Sequence, residues 1–182
     1  HYHYKKESVN EKLESGLNIQ YLKGIGYKKD TSLKRLFHNK YIAKEFKKIA
    51  KKRTIIPDLI ITQIPCLELA EEVIKFAEKN QIPSIVDIRD LWPDIYKRIL
   101  PRKFKWTYKF LFFREVYRLK FILQKSSDIC AISKSYLNWA EHYSNRSIEK
   151  KNIFYIGYKK QQTVNDKKIW ESFLIEKNVP FK

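Results

Sequence analysis

The stretch IPSIVDIRDLWPD, residues 82–94, decides the fold. Its apolar run from Ser84 to Ile88 goes straight into a charged corner of Asp87, Arg89, Asp90 and Asp94, with Trp92 and Pro93 shaping the turn. A short continuous apolar run of this kind is a strand of the sort buried on both faces in a parallel sheet. Side chains alternate along a strand, so Asp87 and Arg89 fall on one side of the extended chain. Arg89 offers a planar fork suited to phosphate or a vicinal diol, and a carboxylate can accept from sugar hydroxyls. Trp92 is the kind of flat apolar face on which a sugar ring stacks. The plainer alternative is a structural Arg–Asp pair that pins the loop.

Outward from this corner the chain alternates strands and helices. Upstream, Pro57 and Asp58 punctuate, and Leu59 to Thr62 forms another continuous apolar strand ended near Pro65. Leu67 to Lys79 is helical, with Glu71, Glu72 and Lys75 spaced for ion pairs one turn apart. Further upstream, Ser32 is a plausible N-cap for a helix from Leu33 to about Lys52, and Leu17 to Tyr21 is a short extended run. Downstream come a long basic-aromatic helix, a strand over Ile129–Ile132, a helix over Tyr136–Tyr143, a strand over Ile153–Ile156 and a last helix over Val164–Lys177. Strand–helix–strand units at this spacing imply parallel strands joined by right-handed crossovers. The expected fold is therefore α/β: an open, Rossmann-like, doubly wound parallel sheet with helices on both faces. In such sheets ligands bind beyond the carboxyl ends of the strands, which directs attention to the 87–94 corner, and to Ser133 and Lys134 at the end of the next strand, expected to face the same cleft.

The length of 182 residues suits one ordinary α/β domain. An apolar fraction of 43% and an aromatic fraction of 15% support a packed core and argue against disorder. No apolar run approaches the roughly 18–20 residues of a membrane-spanning helix. The chain contains no methionine, so a piece of a longer protein is the expectation. Cys66 and Cys130 form no Cys-x-x-Cys and are expected to be buried, reduced thiols; no cofactor and no metal site is expected. His1 and His3 lack partners for a metal, Gly24-Ile25-Gly26 lacks the third glycine of a dinucleotide loop, and His38 and His142 read as surface or packing residues.

With 38 Lys and Arg against 20 Asp and Glu, the net charge is +18, which favours an anionic partner, although lysine spread by composition alone would give the same sum. The segment Lys97–Lys125 is denser. Its basic residues interleave with aromatics, as suits a lipid headgroup interface or single-stranded nucleic acid. On one helix, Phe104, Tyr108, Leu111, Glu115, Leu119 and Ile122 would form a core stripe. Trp106, Phe110, Phe113, Tyr117 and Phe121 would form a second one, which a helix packed on one side does not need. Trp106, Lys109, Phe110, Phe113 and Arg114 are thus the candidate membrane-contact residues.

The four runs PDLIITQIP (57–65), IPSIVDIRDLWPD (82–94), SSDICAISKSY (126–136) and NIFYIGY (152–158), in this order and spacing, resemble the N-terminal domain of glycosyltransferase family 4, near the bacterial capsule and O-antigen enzymes. The resemblance spans nearly the whole chain, and the 82–94 run is its most specific part. It implies one half of a GT-B fold, in which two Rossmann-like halves face each other across a cleft. It also implies a retaining transfer from a nucleotide-sugar donor held by the C-terminal half through a Glu-x7-Glu signature, with this half binding a sugar or lipid-linked sugar acceptor. That signature has no fitting counterpart here, and the family's first strand and glycine-rich loop would precede His1. Residues 1–162 are then the acceptor-side domain, and 163–182 a linker helix opening a second domain. The chain alone is expected to transfer no sugar. Carried over residue by residue, Arg89 and Asp90 stand where family members commonly present a His-Asp pair and are the candidate catalytic residues. The arginine in place of histidine puts acid–base work in question. Asp87, Trp92, Asp94, Ser133 and Lys134 are the candidate acceptor contacts, and Gly157, Tyr158 and Lys159 fall at the crossing to the second half. The implied location is cytoplasmic, peripheral at the inner face of the cell membrane, with an anionic membrane surface as partner and no nucleic acid. The alternative is a basic-aromatic nucleic-acid-binding module without catalysis, for which no RRM, KH or zinc-finger pattern is present.

Overall fold

In the computed structural model the described residues are 9–13, 16–27, 33–99, 101–149 and 152–157. The expected helix over Val164–Lys177, the boundary at 162–163, Tyr158, Lys159, His1 and His3 lie outside them.

Two short strands open the described chain. β1 (Val9–Lys12) and β2 (Asn18–Tyr21) pair antiparallel, with Val9 opposite Tyr21 and Lys12 opposite Asn18. The turn closes through Leu13 N–H to Leu17 C=O and Gly16 N–H to Leu13 C=O, at 2.8 and 3.0 Å. Gly16 sits at φ +82°, a conformation that costs other residues more than glycine. This hairpin is a sheet of its own and lies outside the parallel pattern expected from the sequence. Val9-Asn-Glu-Lys12 carries a single apolar residue, so periodicity gave no sign of β1.

After α1 (Leu33–Lys51), the parallel core runs β3 (Ile60–Ile64), α2 (Leu67–Lys79), β4 (Ser84–Ile88), α3 (Ile95–Ile99), a 3-10 turn (Arg102–Thr107), α4 (Tyr108–Leu111), α5 (Phe113–Lys125), β5 (Asp128–Ala131) and α6 (Lys134–Ser144). The strand order is β3-β4-β5, all parallel. Ile153 adds one further parallel bridge beside Ala131, where the sequence had suggested a full strand to Ile156.

This order fixes which face is covered. Each step from strand to strand goes the same way across the sheet, and right-handed crossovers then put every connecting helix on the same side. Thr62, Val86 and Ile129 stand abreast on that side, as do Ile64, Ile88 and Ala131. They pack on Leu67, Ala70 and Ile74 of α2, on Leu119, Ile122 and Leu123 of α5, and on Leu137 and Ala140 of α6. Two winding directions need a reversal of strand order, and the described strands have none. The α/β class with a parallel, helix-flanked sheet holds. The expectation of helices on both faces does not hold among the described residues. On the second face Ile61 is 62% exposed, and Ile85, Asp87 and Cys130 are only half-buried. The reading of Leu59–Thr62 as a strand buried on both sides is corrected accordingly.

The single basic-aromatic helix expected from Lys97 onward is broken twice. Pro101 has no N–H to continue a helix, and Phe112 takes φ −112°, ψ 14° between α4 and α5. The breaks redistribute the stripes. Tyr108, Leu119 and Ile122 are core as expected, whereas Leu111 is 58% exposed. The seam between α2 and α5 is held by Arg118, whose guanidinium reaches Glu68 and Glu71 on α2 and Glu115 on its own helix. Lys75 adds the ion pair to Glu71 at 2.6 Å that the spacing implied.

Upstream, the Gly26 N–H donates to His38 Nδ1 at 3.0 Å. A Cβ on Gly24 would stand 2.6 Å from His38 Cε1. His38 is thus a packing histidine, and burial holds its imidazole below the ordinary value. The neutral ring is the folded form, so its contribution is present above pH ~6.5 and is lost as pH falls through the lowered value.

Two measurements check this account. In urea denaturation Leu119→Ala is expected to cost about 3 kcal/mol and Lys75→Ala less than about 1 kcal/mol; equal losses would contradict the packing described. In hydrogen exchange, protection of the Gly26 amide is expected to fall as pH drops through the lowered His38 value, and pH-independent protection would contradict the His38 bond.

Candidate functional site

The central strand β4 carries Asp87 onto the open sheet face, and Arg89 follows one residue beyond the strand. Arg89 Nε donates to Asp87 Oδ2 at 2.6 Å. The pair lies in a groove of about 550 Å3 on that face. Gln63, Asp128, Cys130 and Asn152 supply further polar groups, while Ile61, Ile85, Phe154 and Tyr155 supply apolar wall. Asn152 Nδ2 donates to Asp128 Oδ1 at 2.7 Å and to the Ile129 carbonyl at 2.9 Å, which fixes that end of the groove. The Cys130 thiol is pushed up to about 11 by burial and by neighbouring Asp87, so it stays protonated and is no nucleophile at neutral pH. Cys66, in front of α2, is likewise pushed up to about 11 by burial. Both thiols are free and half-buried rather than fully buried.

The Arg89–Asp87 bond uses one of the five guanidinium N–H donors and one carboxylate oxygen. A partly exposed carboxylate beside a largely exposed guanidinium, with aromatic and aliphatic wall around them, can accept from and donate to the hydroxyls of a polyol. Among the described residues no group of three His, Cys, Asp or Glu could hold a metal ion.

The corner does not stay together as the sequence suggested. Asp90 is half-buried and has no hydrogen-bond or ion-pair partner among the described residues. Trp92 does not line the groove. Its ring stands edge-on to Tyr96 and Phe112, at 4.9 and 6.2 Å between centroids, with the Arg35 guanidinium 5.6 Å from its own centroid. Asp94 turns into the helical layer. Its Oδ1 accepts from Tyr108 Oη and Tyr143 Oη, both at 2.7 Å, and from Lys97 Nζ at 2.9 Å, while Oδ2 accepts from Trp139 Nε1 at 3.1 Å. Burial pushes the Asp94 carboxyl up, but the bonds from Tyr108, Lys97, Tyr143 and Trp139 outweigh it and hold the group below the ordinary aspartate value. Burial, followed by Asp94, raises both tyrosine hydroxyls, so they remain protonated donors. The expectation that Asp94 and Trp92 share one site with Asp87 and Arg89 is thereby corrected: these two brace the loop. Ser133 and Lys134 begin α6; Ser133 Oγ pairs with Ser135 Oγ at 2.9 Å, and neither Ser133 nor Lys134 lines the groove.

Gln63, Asp128, Asn152, Phe154 and Tyr155 were missed in the sequence. Gln63 is the cross-strand neighbour of Asp87, and strand alternation carried through both strands would have found it. Asn152 follows from nothing local.

On the helical side the second aromatic stripe is exposed. Trp106 and Phe110 are each 78% exposed and Tyr117 75%, with Phe113 and Arg114 also exposed. Phe121 instead packs partly on the core beneath Lys75. The Lys109 side chain lies outside the described residues. No described helix is long and apolar enough to cross a membrane. No protein-family model matches the chain, and no curated protein matches it.

Asp94→Asn removes the charge that four donors address. The expected loss is about 2–3 kcal/mol at pH 7 in urea denaturation. Because the folded carboxyl is depressed, its contribution is present above pH ~4 and disappears as pH falls through the lowered value. The variant and the parent should therefore converge in stability as pH falls below the ordinary aspartate range, and a difference unchanged with pH would contradict the assignment.

Proposed function

We propose that this chain is the acceptor-binding part of a retaining glycosyltransferase that works on a sugar or lipid-linked sugar at an anionic membrane surface, the inner face of the cell membrane, with the nucleotide-sugar donor held by a second domain. The observation that carries the reading is the Asp87–Arg89 pair at the carboxyl end of the central parallel strand, in a groove that mixes hydroxyl-bonding groups with apolar wall. Asp87 and Arg89 stand toward the carboxyl ends of the strands, where open α/β sheets bind their ligands, and the groove continues from there along the open face past Ile85, Ile61 and Asp128. The resemblance of the 82–94 run to glycosyltransferase family 4 supplies the reaction class. In this reading Asp87 accepts from acceptor hydroxyls, Arg89 donates to hydroxyl or phosphate oxygens, and Asp90 is the remaining carboxylate within reach of the same loop. The exposed Trp106, Phe110, Phe113 and Arg114 meet the headgroups. No nucleic acid is a partner: the exposed rings and basic residues would serve a strand equally well, but they would leave the Asp87–Arg89 groove without a role.

Saturation-transfer NMR with a lipid-linked monosaccharide, alongside vesicle and oligonucleotide binding, tests this. The expected result is sugar-proton contact that weakens about tenfold or more in Arg89→Gln, vesicle binding that needs anionic lipid, and no turnover of a nucleotide-sugar by the chain alone. Salt-sensitive oligonucleotide binding, with no response to the sugar and no vesicle affinity, would overturn it.

A further inference from the structure

The exposed aromatic surface adjoins a second groove, of about 680 Å3, lined by Lys97 of α3, Tyr108 of α4, Phe113, Tyr117 and Lys120 of α5, and Tyr143 of α6, with Val116 among them. Its volume is in the range of sites for small amphiphilic ligands. Its wall is almost entirely ring and aliphatic carbon, and the reason is Asp94. The hydroxyls of Tyr108 and Tyr143 are both spent on that carboxylate. Two residues that could have offered polar handles therefore present only their carbon faces. Among the described lining residues the Tyr117 hydroxyl is the one phenol left to a polar ligand, so a peptide or a base laid here would replace few of the hydrogen bonds it loses to water. Among the described lining residues the charged ones are the two lysines and none is acidic, with the Asp94 carboxylate behind Lys97. Lys97 Nζ rests 4.7 Å from the Tyr108 centroid while bonded to Asp94, and Lys120 is exposed and has no ion pair among the described residues. An apolar wall with one ammonium group, that of Lys120, left for an anion complements a hydrocarbon chain that ends in a phosphate.

We infer that this groove takes a single acyl chain of an anionic phospholipid, with the phosphate against Lys120. The inference rests on the membrane-surface reading above and deepens it. Trp106, Phe110 and Arg114 would meet the interface broadly, whereas the groove would draw one lipid chain out of it and fix the orientation of the domain. Such capture is independent of bilayer charge alone and can be observed with a lipid that forms no bilayer.

The experiment titrates the chain with single-chain phosphatidylglycerol, kept below the concentration at which it forms micelles, and separately with phosphatidylcholine vesicles with and without phosphatidylglycerol. The expected result is saturable one-to-one binding of the monomeric lipid. Phe113→Ser with Tyr117→Ser should weaken it about tenfold or more, and both rings are exposed, so the fold should be kept, as circular dichroism would verify. Lys120→Gln should narrow the preference for the phosphatidylglycerol headgroup over a single-chain phosphatidylcholine. Trp106→Ser with Phe110→Ser should weaken vesicle binding while leaving the monomeric lipid bound. Absence of monomer binding, or binding indifferent to the Phe113 and Tyr117 changes, overturns the groove assignment. If anionic vesicles are still bound in that case, the membrane reading stands without it; if they are not, both fail.

Discussion

One carboxylate organises the helical layer. Asp94 leaves the loop after β4 and is met by a tyrosine of α4, a lysine of α3, and a tryptophan and a tyrosine of α6. A charge at this depth is costly unless every lone pair is engaged, and here charge-assisted bonds from four side chains engage it. The geometry follows from that requirement. The chain after Ile88 has to turn so that Asp94 enters the helical layer, which places Trp92 against Tyr96 and Phe112 and leaves Asp87 and Arg89 behind on the sheet. The same bonds turn the hydroxyls of Tyr108 and Tyr143 onto Asp94 and give the outer groove its carbon wall.

A second constraint is topological. A sheet built in the order β3-β4-β5 with right-handed crossovers stacks α2, α5 and α6 on one face and keeps the other free of them. The covered face holds the core, with Ile64, Val86, Ile88 and Ile129 fully buried. The open face holds the mixed polar and apolar groove around Asp87 and Arg89. The two candidate surfaces, one for a hydroxylated ligand and one for lipid, therefore belong to different layers of the same small unit, and Asp94 contributes to both: by where it sends the loop and by what it does to the tyrosines.

Much of this was legible in the sequence where a single periodicity ruled. β4 over Ser84–Ile88 and α2 over Leu67–Lys79 have the boundaries that pattern and punctuation gave. Asp87 and Arg89 share a side because alternation places them there. What the sequence hid was set by distant partners. Asp94 lies in the same charged run as Asp87, yet its partners Tyr108, Trp139 and Tyr143 are 14, 45 and 49 residues away, and no local rule separates it from its neighbours. The long basic-aromatic helix was misread because helical periodicity continues in register across Phe112, where the backbone leaves the helix. The open face escaped notice because an apolar strand in a parallel sheet is expected to be covered twice, and only the strand order reveals that one cover is missing among the described residues.

The most direct test of the central claim is a 13C NMR titration of the Asp94 side-chain carboxyl, with the ring resonances of Tyr108 and Tyr143 followed in the same samples. If Asp94 is the anionic hub described here, its midpoint lies below that of an ordinary aspartate, and both tyrosine rings shift together with it. A midpoint at or above the ordinary value, with the rings unresponsive, would show that the carboxylate is not held by these donors, and both the placement of the loop and the apolar wall would lose their cause.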